Sequence, residues 1–128
     1  PVQVVSAKTA RQVTRMLESV VGPGGTASNV VVDGYRIAGK TGTAQRLDAT
    51  GAQIGRTTSF AGYAPADDPQ LVVVVSLQDP VAGSSGGGTA GPVFSDIMKF
   101  ALPRLGIAPS GAPAPRVPVF ADELPAGN

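Results

Sequence analysis

The sequence predicts an α+β fold in which an N-terminal and a C-terminal helix flank a small antiparallel β-meander. Three observations predict it. Apolar residues recur at helical spacing near both ends, the middle is rich in β-forming residues, and short polar turns separate the middle segments. We expect about three strands plus a short leading strand, since short connections join antiparallel neighbours. The two helices would cover the sheet as an incomplete α+β layer.

The first helix is predicted over residues 6–21. Ser6 is a good N-cap, and the segment Gly22-Pro23-Gly24-Gly25 ends the helix. The apolar residues of this segment fall largely on one face, which we expect to pack on the sheet: Ala10, Val13, Leu17, Val20 and Val21.

The strands are predicted in the middle of the chain. Val30 to Val32 forms the leading strand, with a hairpin turn at Asp33-Gly34. Tyr35 to Arg46 alternates as a half-buried strand does, and residues 47–55 are a connecting loop. Residues 57–64 form the next strand and 67–69 a turn. The valine-rich segment 71–77 suits a strand buried on both faces.

The C-terminal part is predicted to hold the second helix and a tail. Residues 83–91 are rich in Gly and Ser and indicate a loop, after which Pro92 suits a first helical position. Pro103 shortens or kinks this helix. Its buried face is predicted to contain Val93, Ile97, Ala101 and Leu105. Residues 1–107 form one domain portion, and the Pro-rich residues 108–128 a tail that is extended, disordered or a strap across the domain.

Composition excludes several function classes. The 128 residues suit one domain, and with 42% apolar and 15% charged residues the chain is globular. A formal net charge of +1 without a basic cluster argues against nucleic-acid binding. Without cysteine or histidine there is no disulfide, thiol nucleophile or His-based triad, and we expect no metal site and no cofactor. No apolar run approaches the ~20 residues of a membrane helix. The start of the chain has no signal-peptide pattern, and Pro1-Val2-Gln3-Val4-Val5 looks like the interior of a longer sequence. We therefore expect a fragment of a longer protein.

The chemistry-bearing segment is Gly39-Lys40-Thr41-Gly42-Thr43. It places an ammonium group, two hydroxyls and a backbone position without a side chain on one predicted strand. Gly42 lets a ligand or a neighbouring backbone approach closely. Such a strand suits an extended peptide with a free carboxylate, because backbone groups can add the peptide as a strand while hydroxyls and the ammonium bind the anion.

With its neighbours, this segment resembles the third active-site motif of penicillin-binding proteins and serine β-lactamases. It follows Val32-Asp33-Gly34-Tyr35 and precedes Phe60-Ala61-Gly62-Tyr63-Ala64-Pro65 and the strand from Leu71 to Val75. Gly25-Thr26-Ala27 and Gly91-Pro92-Val93-Phe94 also fit. The resemblance covers residues 6 to about 107, is greatest to class B-like division or elongation transpeptidases, and implies a partial penicillin-recognising fold.

The resemblance also implies roles for the motif residues. Lys40 would set the electrostatics of the cleft and contact the serine of a Ser-x-Asn motif. Thr41, Gly42 and Thr43 would bind the substrate, the two hydroxyls holding the carboxylate of a D-Ala-D-Ala stem peptide or a β-lactam. The backbone N–H of Thr43 would form half of the oxyanion hole. The implied reaction is peptidoglycan cross-linking through an acyl-serine, on the extracytoplasmic face of the cell membrane, in a parent protein that is anchored there.

The chain departs from the family pattern because it contains neither Ser-x-x-Lys nor Ser-x-Asn. Ser6 and Lys8 are one residue too close, and Ser95 and Lys99 one too far apart. On a helix the amine reaches the hydroxyl only from the next turn. We therefore expect no nucleophile in this chain, no activity of the chain alone, and a missing N-terminal part of the same enzyme that supplies both motifs.

Two alternatives remain. Gly34 to Thr41 satisfies the P-loop pattern, with Asp79 as a possible magnesium ligand after a strand, which would indicate a nucleotide hydrolase. A P-loop must open a helix directly after Gly-Lys-Thr, and the residues after Thr41 are poor helix formers. The other alternative is a non-catalytic relative that binds a peptide or a β-lactam in the same cleft.

Overall fold

The computed structural model describes residues 2–81 and 83–115, which form two helices and one three-stranded sheet. The elements are α1 (Ala7–Val21), β1 (Ala38–Leu47), β2 (Gln53–Ala64), β3 (Leu71–Gln78) and α2 (Gly86–Arg104). Both strand pairs are antiparallel and the sheet order is β1-β2-β3. The predicted α+β class, with a meander between two helices, is confirmed.

Helix α1 has the predicted extent, but its buried residue is a charged one. Ser6 is the N-cap and accepts a hydrogen bond from the backbone N–H of Thr9 at 3.1 Å. Val13, on the predicted apolar face, is exposed, whereas Glu18 is 3% exposed. A buried carboxylate needs a partner, and Arg36 supplies it. Leu17, Val20 and Val21 of the predicted face are half-buried, and the two valines pack against the core. The ion pair and the C-terminal half of the apolar face together define the inner side of α1.

The leading strand at Val30 to Val32 was predicted wrongly, and so was the hairpin at Asp33-Gly34. Val30 and Val32 are buried and Val31 is exposed, which is the alternation of a strand. The backbone bonds are those of turns, however: Val30 N–H donates to the Ala27 carbonyl and Tyr35 N–H to that of Val32. Since no strand pairs with this segment in the described chain, β1 starts at Ala38 and not at Tyr35.

The connection between β1 and β2 is shorter than the predicted loop at 47–55. The strands continue to Leu47 and resume at Gln53, with a register irregularity after Arg46. Asp48 closes the turn by accepting hydrogen bonds from the Thr50 hydroxyl at 2.6 Å and from two backbone N–H groups. The Thr50 hydroxyl is the main cause that lowers the pKa of Asp48.

The core lies between the sheet and α2. Phe60 of β2 and Phe94 of α2 have ring centroids 4.7 Å apart, and both are fully buried. The opposite face of β3 is open, since Val72 and Val74 are each 68% exposed. The prediction that β3 is buried on both faces is therefore wrong for this chain, because α2 covers only the side that contains Val75.

Helix α2 starts earlier than predicted and buries a different face. It begins at Gly86 with Ser85 as N-cap, so Pro92 lies inside it and the Gly-rich segment is partly helical. On the predicted buried face, Val93, Ile97 and Leu105 are exposed. The buried face is instead the neighbouring one, shifted by one residue along the sequence: Ala90, Phe94, Met98 and Leu102. Both faces are apolar, and Phe60 selects the second one by packing against Phe94. Pro103 falls in the last turn, and the helix ends one residue later.

Residues 107–115 form neither helix nor strand and bond to residues 34–36, just before β1; we call this segment the C-terminal strap. Tyr35 donates its hydroxyl hydrogen bond to the Ile107 carbonyl at 2.7 Å, and Ser110 bonds to Gly34 and Arg36. Residues 116–128 of the predicted tail lie outside the described residues. Neither described helix has the length and apolar character needed to cross a membrane.

Candidate functional site

The predicted site residues lie on β1 at the edge of the sheet. Lys40 pairs with Ala61, Thr41 with Phe60, Gly42 with Ser59 and Thr43 with Thr58, all on the β2 side. In the described chain no strand pairs with the other side of β1. Backbone donors and acceptors on an unpaired edge can add an extended peptide as a further strand.

One cluster on this edge combines an ammonium group and two hydroxyls. The Lys40 ammonium donates to the carbonyl oxygen of Thr41 at 3.0 Å and to the Thr41 hydroxyl oxygen at 3.3 Å. The Thr41 and Thr26 hydroxyl oxygens are 3.1 Å apart. Lys40 and Thr26 are exposed, and Thr41 is half-buried. The cluster offers donors to an anion at the surface of the chain.

Thr43 is held by the beginning of α2. The Gly86 N–H donates to its hydroxyl oxygen at 3.3 Å. A Cβ at Gly86 would collide with the carbonyl oxygens of Gly42 and Ser59, so only glycine allows the helix to start this close to β1. Because Thr43 accepts this bond, its own hydroxyl hydrogen can be donated to a ligand.

Next to the site, an ion pair fixes the segment that leads into β1. Arg36 donates to both carboxylate oxygens of Glu18, at 2.7 and 2.9 Å. This hydrogen bond is the main reason why the pKa of Arg36 is raised. Asp67 lies 3.9 Å from the same guanidinium. Desolvation acts to raise the pKa of Asp67, but the hydrogen bond from Ser110 and the charge of Arg36 outweigh it and the pKa is lowered.

The structure brings Lys40, Thr41, Gly42 and Thr43 together on one strand segment and adds two residues to which the sequence analysis gave no role. Thr26 contacts Thr41, and Gly86 contacts Thr43. Gly25-Thr26-Ala27 was noted only as part of a resemblance, and Gly86 only as part of a loop. Nothing in their spacing indicates contacts across 15 and 43 residues, so no local signal identifies them.

The geometry argues against the P-loop alternative and gives no sign of a catalytic Ser–Lys pair in α2. After Lys40 and Thr41 the chain continues as β1 to Leu47, so the helix that a P-loop requires is absent there. The Asp79 carboxylate binds Arg46 and the Arg56 N–H. The Ser95 hydroxyl is buried and has no hydrogen-bond partner among the described residues, so Lys99 does not bond to it as a catalytic base would.

Comparison with known proteins places this chain in a family. A sequence model described as "Penicillin binding protein transpeptidase domain" matches residues 1–99. Stage V sporulation protein D of Bacillus subtilis is 47% identical over 109 residues. The peptidoglycan D,D-transpeptidase FtsI of Escherichia coli is 43% identical over 101 residues. These matches cover 84% and 77% of this chain but 17% of each relative.

Solved structures agree with the sequence comparison. The apo transpeptidase domain of penicillin-binding protein 3 from Burkholderia pseudomallei has a TM-score of 0.75 and 44% identity, and the match covers 88% of this chain and 34% of that one. Penicillin-binding protein 3 from Mycobacterium tuberculosis, complexed with ampicillin, has a TM-score of 0.73 and 37% identity, with 88% and 27% covered.

The fold and the site thus define part of a transpeptidase domain of the penicillin-binding class. The chain belongs to the penicillin-binding protein transpeptidase family. It spans about a sixth of the curated relatives' length and about a third of the Burkholderia domain.

Proposed function

We propose that this chain is the C-terminal portion of a peptidoglycan D,D-transpeptidase and supplies the substrate-binding strand of its active site. The observation that carries the proposal is the placement of Lys40, Thr41 and Thr43 on an edge strand whose other side has no partner strand in the described chain. A stem peptide ending in D-Ala-D-Ala offers what this edge can bind, namely an extended backbone and a terminal carboxylate.

In this proposal the two hydroxyls hold the carboxylate. Thr43 accepts from the Gly86 N–H and Thr41 from the Lys40 ammonium, so each hydroxyl hydrogen can be donated to the anion. The Lys40 charge adds a charge-assisted contribution. Gly42 keeps this part of β1 open to close approach, and the Thr43 N–H donates to the oxyanion that develops on the substrate carbonyl.

The nucleophile and base come from a preceding segment that carries Ser-x-x-Lys and Ser-x-Asn. The serine hydroxyl oxygen attacks the penultimate D-Ala carbonyl, the peptide C–N bond breaks, and the terminal D-Ala leaves as an amine. An amine of a neighbouring stem peptide then attacks the ester, forms the cross-link and releases the serine. The parent protein works at the extracytoplasmic face of the membrane in cell division or cell-shape maintenance, and this chain alone is inactive.

The first test is the intact mass of the full-length gene product after brief exposure to benzylpenicillin. We expect a gain of one penicilloyl unit, because the β-lactam acylates the serine and the ester persists. No gain in mass would overturn the enzyme proposal. Retained binding of a D-Ala-D-Ala peptide in that case would identify a non-catalytic peptide-binding relative.

A second test assigns Lys40. The variant Lys40→Ala should lower the acylation rate by about 10²-fold or more, the effect of removing one electrostatic group from a preorganised site. Since Lys40 is exposed in this chain, the melting temperature should change little. Lys99→Ala, an exposed lysine of α2, is the control and should acylate at the wild-type rate. An unchanged rate in Lys40→Ala with a lower melting temperature would contradict the assignment.

A further inference from the structure

The segment that leads into β1 is held from outside the sheet. Sheet pairing of β1 begins at Ala38, so residues 34–37 have no strand partner in the described chain. Buried backbone groups must nevertheless be satisfied. Two residues from distant parts of the chain contribute: Ala66 donates its N–H to the Arg36 carbonyl at 2.8 Å, and Ser110 of the strap bonds to Gly34 and Arg36.

Ser110 takes the place of a strand partner. Its backbone N–H donates to the Gly34 carbonyl and its hydroxyl oxygen accepts from the Arg36 N–H, both at 2.9 Å. The same hydroxyl donates to the Asp67 carboxylate at 2.8 Å, which fixes its orientation. One serine thus joins the start of β1, the turn between β2 and β3, and the strap.

The Arg36 side chain extends this network to α1. Its guanidinium binds Glu18 through two hydrogen bonds, and the Glu18 side chain is 1% exposed. A paired guanidinium and carboxylate in this geometry are directional and rigid. Arg36 is therefore fixed through its N–H, its carbonyl and its side chain, four residues before Lys40.

From these contacts we infer that Ser110 and Arg36 are positioning residues for the Lys-Thr-Gly-Thr segment, so that the C-terminal strap is a working part of the active site. The inference rests on the proposed function. An extended strand transmits a displacement of its start along its length, and Lys40 and Thr41 must meet groups that other segments hold. A misplacement of about 1 Å can lower a catalysed rate by about 10²-fold.

The test compares Ser110→Ala with Ser110→Thr in the full-length gene product. Ser110→Ala removes the hydroxyl and leaves the backbone bond, and we expect the rate of acylation by benzylpenicillin to fall about tenfold, within the range that small misplacements produce. Ser110→Thr keeps the hydroxyl and should restore most of the rate. Rates are measured well below the melting temperature of each variant.

Val75→Ala separates positioning from stability. Val75 is buried in β3 in the core against α2, so this variant should lower the melting temperature while its acylation rate stays within about twofold of wild type, because β2 separates β3 from β1. If Ser110→Ala acylates at the wild-type rate, the positioning role is overturned, whatever its melting temperature. An equal loss of rate in Val75→Ala would overturn it too.

Amide hydrogen exchange tests the inference even if the full-length protein does not react with benzylpenicillin. Ser110→Ala should then exchange faster than wild type over residues 36–43, with β3 unchanged. Equal exchange over residues 36–43 in the two proteins would overturn the positioning role. If the wild-type protein is not acylated by benzylpenicillin, by contrast, only the proposed function is overturned.

Discussion

The two faces of the sheet differ although the same strands form both. The face toward α2 buries Phe60 and Val75 against Phe94 and Met98. The opposite face carries the exposed Lys40, Val72 and Val74. A valine-rich strand thus contributes both to a complete core and to an open apolar surface. The covered face supplies stability within this chain. The candidate site lies on the edge strand β1, where Lys40 points to the open face while Thr41 and Thr43 lie on the face toward α2.

The largest predicted effect concerns the covered face. Phe94→Ala removes a fully buried ring that contacts Phe60, and we expect a loss of about 3–5 kcal/mol in the free energy of unfolding. Phe100→Ala on the same helix is the matched control. Phe100 is exposed and lies under the Arg104 guanidinium, so its loss should be about 0.5–1 kcal/mol.

Urea unfolding of the full-length gene product measures both variants. If Phe94→Ala and Phe100→Ala lower the free energy of unfolding equally, the two sides of α2 do not differ, because the outer side is then also buried in the longer protein. A small loss for Phe94→Ala would mean that the core between α2 and the sheet does not carry the stability of this region.

The second effect concerns the ion pair of α1. Glu18→Gln leaves the Arg36 guanidinium with Asp67 at 3.9 Å as its remaining carboxylate partner, and we expect a loss of about 2–3 kcal/mol. That is less than for a fully buried pair, because Arg36 keeps some contact with water. Arg36→Lys keeps the charge but not the two-pronged geometry, so its loss should be smaller. Thermal unfolding measures both, and no loss in Glu18→Gln would show that the pair is not stabilising.

How far the sequence predicts this molecule depends on the range of the interactions. The motif from Lys40 to Thr43 was found because its groups are contiguous, and Ser6 was found because a cap acts within one turn. The buried stripe of α2 was missed because two adjacent stripes are apolar and only contact with Phe60 distinguishes them. The contacts of Thr26 and Ser110 were missed for the same reason, since tertiary packing alone brings them to β1.

A smaller effect is expected from the open face. The isolated 128-residue chain should be poorly soluble, because Val72 and Val74 form part of an exposed apolar surface. The double variant Val72→Thr, Val74→Thr keeps β-branched side chains and should raise the soluble fraction after centrifugation. Val4→Thr with Val5→Thr, exposed residues outside the sheet, is the control. Equal gains in both double variants would show that the open face has no special role.

The smallest effect is the pH dependence of the strap contact. The folded-state pKa of Asp67 lies below its ordinary value of 3.8, so its stabilising contribution is present above 3.8 and is lost as pH falls through the folded pKa. Asp67→Asn should therefore reduce the drop in melting temperature between pH 6 and about pH 3. Asp68→Asn, in the same turn, is the control. If the melting temperatures of Asp67→Asn and wild type fall by the same amount over this interval, the carboxylate does not hold the strap, and the segment before β1 is held by Ser110, Glu18 and Ala66 without it.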